Sequence, residues 1–151
     1  MNRALLLILL CSCGPRATLV SAKGTQIFFK DPDVSWTQET VDEQESWFVD
    51  RLDLLGTRYT RQDVEKTLKT LEADVYTQPI QCGSASKTGL CNGLQNYNVL
   101  LVRDMGCVAS SAYTHEMLHW LQQSLHHETD YDHTEPDVWS IADGSPHGCT
   151  P

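Results

Sequence analysis

His115 and His119 stand four positions apart, with Glu116 directly after the first, in the string Thr114-His115-Glu116-Met117-Leu118-His119. Four positions is close to one helical turn, so on a helix both imidazoles project in one direction, one turn apart. Two such rings can bind one zinc ion at about 2.0 to 2.1 Å, while a carboxylate from the same turn approaches the bound water. Zinc lowers the pKa of that water towards neutrality, and Glu116 can then take its proton and pass it to the leaving amine. The bland alternative, in a chain with six histidines, is a solvated helix face that carries two of them.

The elements around this string decide between the two. Ser110 or Ser111 can cap a helix whose good formers continue through Gln123. On it Leu118, Leu121 and Leu125 form one stripe, and His115 and His119 lie together on the adjacent one beside Ser111 and Gln122. Upstream, Tyr97-Asn98-Val99-Leu100-Leu101-Val102 is apolar enough for a central strand. Thr25-Gln26-Ile27-Phe28-Phe29 is a shorter strand, closed by Asp31-Pro32-Asp33. Thr40 with Glu43 forms a capping-box pattern ahead of Val41, Phe48, Leu52 and Leu55, and Gly56 sits at the expected C-cap. Thr60 with Asp63 caps a second helix striped by Val64, Leu68 and Leu71, and Val75-Tyr76 begins an extended segment stopped by Pro79. This order predicts an α+β domain, a short sheet packed on the histidine helix with one or two further helices.

The 151 residues fit one domain. The net charge of −9, with more than half of the acids between residues 31 and 74, excludes nucleic acid and anionic membrane surfaces as expected partners. The N-terminal MNRALLLILLCSC carries one charge ahead of an apolar run too short for a bilayer core, which needs about twenty residues, and reads as a signal peptide. Leu10-Cys11-Ser12-Cys13 resembles a bacterial lipobox, which implies lipidation of Cys13, and Gly14 resembles lipoproteins sent to an outer membrane; an ordinary cleaved signal is the alternative. The expected organisation is signal peptide 1–13, short tether 14–24 and folded domain 25–151. Export lets Cys82, Cys91, Cys107 and Cys149 pair, and Cys82 with Cys91 and Cys107 with Cys149 is the favoured connectivity of the three.

Over residues 99–139 the chain resembles the zincin superfamily of metallopeptidases, in the manner of small bacterial lipoproteins, whose active-site helix carries His-Glu-x-x-His beside a sheet. The resemblance implies His115 and His119 as ligands and Glu116 as general base. A catalytic site needs a third protein ligand and an open position. The metzincin arrangement is not met, since Gln122 and Leu125 occupy its glycine and third-histidine positions. On a continued helix His126 would lie about 10 Å along the axis from His119, beyond reach of the same ion. The chain must therefore turn, and residues 128–132 are the expected turn. His133 follows it and is the favoured third ligand, with Asp130 second and Glu135 third. Tyr131 is a candidate hydrogen-bond donor to the oxyanion, or else a packed aromatic. Asp130 and Asp132 could instead orient a ligand histidine, and Trp139 is expected as core or as a lid over the disulfide.

The expected function is that of an exported, lipid-anchored zinc metalloprotease, with one Zn2+ per chain and a peptide or protein substrate. It is expected to be a monomer that meets the membrane only through its lipid, or to be secreted. The alternative is a non-catalytic exported lipoprotein, a binding module with a structural or vestigial zinc site. In a third reading the His-Glu-x-x-His string arises by chance.

Overall fold

A computed structural model describes residues 17–56, 58–83, 89–128 and 133–146. The expected signal peptide with Cys13, and also Asp130, Tyr131, Asp132 and Cys149, lie outside the described residues.

The fold is α+β: the described residues form a five-stranded mixed sheet, a separate two-stranded hairpin and four α-helices. Strand β1 (Leu19–Val20) pairs antiparallel with β2 (Gln26–Phe29), so from Thr18 onward the stretch expected as a tether belongs to the sheet. β2 runs parallel to β3 (Glu72–Tyr76). Between them α1 (Gln38–Leu54) and α2 (Arg61–Leu68) make the crossover that parallel strands require. β4 (Ile80–Cys82) and β5 (Gly89–Cys91) form the hairpin, bridged by the disulfide Cys82–Cys91 with Cα atoms 6.1 Å apart. β6 (Gly93–Asn96) then occupies the sheet edge, antiparallel to β7 (Val99–Arg103), which lies parallel to β3. The strand order is β1-β2-β3-β7-β6.

Alternation in β3 and β7 turns Ala73, Val75, Leu100 and Val102 into the core, and Ile27, Ala73 and Leu100 fall in register across three strands. β7 is central, as its apolarity predicts. It begins two residues later than the apolar run because Tyr97, at φ +53°, and Asn98 make the reversal from β6. Helix α1 starts three residues earlier than expected. Thr37 is its N-cap, and Thr40 is the third helical residue that closes the capping box with a hydroxyl in place of the expected carboxylate. Gly56 follows the helix at φ +57°, the left-handed conformation that favours glycine there. Thr60 caps α2 as expected, accepting from the Asp63 backbone N–H.

Helix α3 (Tyr113–Leu121) is buried along most of its length, in a core that includes Phe48 and Val49 of α1. Ser110 and Ser111 do not cap it. They lie in a 3₁₀ turn (Val108–Ser110) and its boundary, where their hydroxyls donate to the Met105 and Cys107 carbonyls, and Ala112 occupies the cap position. Cys107 is disulfide-bonded; its expected partner Cys149 is outside the described residues. The helix widens into a π-type turn (Gln122–His126) and ends at His127, whose φ of +56° reverses the chain. The last helix, α4 (Pro136–Ala142), begins with proline at its first position, where the missing N–H costs nothing.

Candidate metal centre

α3 delivers His115 and His119 to one point, with ring centroids 5.1 Å apart. His133, three residues before α4, lies against both, at 4.9 Å from His115 and 5.3 Å from His119. One nitrogen from each ring lies within 4.8 Å of the other two, a group that could hold a metal ion. The Nε2 atoms of His119 and His133 are 3.4 Å apart. Two nitrogens bound tetrahedrally at about 2.0 to 2.1 Å from one zinc would stand about 3.3 to 3.4 Å apart, so this pair fits such an ion without movement. His133 itself sits at φ +53°, a conformation costly for a residue with a Cβ and sustained only when neighbours enforce it.

Helix α4 completes the centre. The Trp139 ring packs against all three imidazoles, at 4.9, 4.5 and 4.0 Å from His115, His119 and His133. It is buried in the hydrophobic core, one of its two expected places, and forms the apolar wall of the cluster. One turn on, the Asp143 carboxylate lies 2.8 Å from His115 Nδ1. A proton on Nδ1 donated to that oxygen leaves Nε2 as the lone-pair atom for the centre. Buried Gln44 of α1 fixes the spacing of the two helices: its amide donates to the Thr114 hydroxyl at 3.4 Å and to the Gly144 carbonyl at 2.9 Å. Thr114 donates in turn to the Ala142 carbonyl. The residues directly before His115 and directly before Asp143 are therefore tied together.

Glu116 is buried beside the sheet edge, against Gly93 of β6. A methyl group on Gly93 would lie 2.6 Å from both Cγ and Oε1 of Glu116, so the carboxylate occupies space that only glycine leaves open. Burial raises the Glu116 carboxyl above the ordinary carboxylate range; the charge of His115 and a hydrogen bond from the Gln95 backbone oppose it. A groove of about 410 Å³ opens onto His115 and Glu116, between Asn92 and Gly93 on one side and Ser111, Ala112 and Asp143 on the other.

Of the residues singled out in the sequence, His115, Glu116, His119 and His133 are brought together. Glu135 is not: its carboxylate is taken by Arg58 at 3.0 Å. His126 points away and packs on the Tyr59 ring at 5.1 Å. Asp143, Gly93 and the role of Trp139 were not singled out. The spacing of Trp139 and Asp143, four apart after a helix-starting proline, is the one sequence signal that places them on a common face. No family model, curated protein or solved structure matches the chain.

Proposed function

We propose that this chain is a zinc-dependent metallopeptidase, exported and lipid-anchored through Cys13. The observation that carries the reading is the convergence of three imidazole nitrogens, one of them from His115, which with the buried Glu116 carboxylate lines an open groove. His115, His119 and His133 would hold the ion, leaving a position for water and substrate. When bound there, zinc supplies Lewis acidity, which polarises a scissile carbonyl and makes water a better acid. Glu116 takes the proton of the attacking water and then gives it to the departing amine; its raised proton affinity suits both transfers. Gly93 and the Gln95 backbone hold that carboxylate at the groove, Asp143 holds His115 in the ligating tautomer, and Trp139 keeps water from the rear of the three rings. Export is supported by the Cys82–Cys91 disulfide, which persists in oxidising compartments.

The test is elemental analysis with a peptide-hydrolysis assay. About one zinc per chain is expected, lost in His115→Ala together with His119→Ala. Cobalt in place of zinc should change its absorption on adding a hydroxamate, because a coordination position is open; a spectrum indifferent to hydroxamate identifies a closed, non-catalytic site.

A further inference from the structure

His133 is held in an unfavourable backbone conformation three residues before α4 begins at Pro136. For its imidazole to meet two rings on α3, the start of α4 must be held against the end of the α3 extension. One side chain touches both. The Arg58 guanidinium reaches Glu128 through Nη1 at 2.6 Å and Glu135 through Nη2 at 3.0 Å. Glu128 is the residue just past the reversal at His127, and its N–H still reaches the Gln122 carbonyl. Glu135 is the residue whose carbonyl starts α4, accepting from the Val138 and Trp139 N–H groups. Arg58 has a fixed root, since the adjacent Tyr59 is buried, lies under the guanidinium at 5.6 Å and packs on His126 in the last turn of the α3 extension.

We infer that Arg58 is a positioning residue for the third metal ligand: by bridging Glu128 and Glu135 it ties the start of α4, with His133 two residues before Glu135, to the end of the α3 extension, and so holds His133 against His115 and His119. This rests on the metal-site reading above. A planar guanidinium with several donors can serve two carboxylates at once, which a lysine ammonium does less well. All three side chains are between a third and about half exposed, so dissolved ions screen the bridge. The metal affinity of this site should therefore carry a salt dependence that histidine ligands alone would not give it.

The experiment is competition for zinc between the full chain and a chromophoric chelator, at low salt and at 1 M salt, for wild type, Arg58→Met, Arg58→Lys, the double variant Glu128→Gln with Glu135→Gln, and His133→Ala. At low salt Arg58→Met and the double variant should bind zinc about three- to tenfold more weakly than wild type, and Arg58→Lys should fall between. At 1 M salt, where the screening length is about 3 Å, wild type should weaken to the level of Arg58→Met. Cobalt absorption should shift in Arg58→Met, which a purely structural role would not produce. Zinc binding by Arg58→Met as tight as wild type at low salt, with His133→Ala weakened, overturns the role of Arg58 and leaves the metal site standing. His133→Ala binding as tightly as wild type overturns both. Should Arg58→Met fail to fold, the glutamine double variant decides by the same criteria.

Discussion

At the scale of single residues, the proposed function separates groups that would hold a metal from the group that would react. Glu116→Gln keeps the shape and removes the proton acceptor, so kcat/KM for a peptide should fall by about two to four orders of magnitude while zinc affinity stays within a few-fold. Activity unchanged in that variant defeats the assigned mechanism. Asp143→Ala removes the partner of His115 Nδ1, and zinc affinity, read by chelator competition, should drop about 10- to 100-fold. Gly93→Ala pushes a methyl group into the Glu116 carboxylate, and a loss of turnover with zinc still bound is the expected pattern. The His115, Glu116 and His119 set was legible because its geometry is internal to one helical turn. His133 was legible only as the first histidine beyond a necessary reversal. Asp143 and Gly93 act across 28 and 23 positions of chain, through a helix packing and a strand edge that no local spacing encodes.

At the scale of elements, α1 is tied to α3 by a buried polar contact of a second kind. Glu45 is fully buried, and the Tyr113 hydroxyl donates to it at 2.5 Å. Burial raises its carboxyl pKa above the ordinary 4.5, with hydrogen bonds from Ser21 and Tyr113 opposing. Folding therefore favours the protonated form: the stability this gives is full below the unfolded pKa and is lost as pH rises through the folded one. Thermal melts of wild type and Glu45→Gln should nearly coincide at pH 4, with the variant melting higher as pH is raised to 8. A gap that does not change with pH counts against it. The existence and type of α1, α2, β2 and β7 followed from apolar spacing, which reports the side that meets the core. Their ends did not, because two threonines three positions apart, Thr37 and Thr40, both suit a cap, and only the chain's approach selects the first. Ser110 and Ser111 missed their expected role for a related reason: a 3₁₀ turn claims their hydroxyls.

At the scale of the whole molecule, parts distant in sequence meet at one centre, so an ion there stabilises the fold by mass action. At a free zinc concentration a hundredfold above its dissociation constant the gain is about 2.7 kcal/mol, visible as a rise in melting temperature that a chelator reverses. No such rise should occur in His119→Ala. Reduction of Cys82–Cys91, which closes a short loop, should cost about 2 to 3 kcal/mol without touching the histidines. The α+β class could be read from the order of elements. The mixed sheet could not, since β1 is only two residues long and β6 carries a single apolar side chain, Leu94. Trp139, with its indole pressed against all three imidazole rings, gives the molecule a built-in optical gauge. An ion with unfilled d-orbitals such as copper(II) or cobalt(II) would extinguish the fluorescence of that indole on arrival, whereas zinc would leave it emitting. Stopped-flow light emission could thus time the occupation of the centre without any added label.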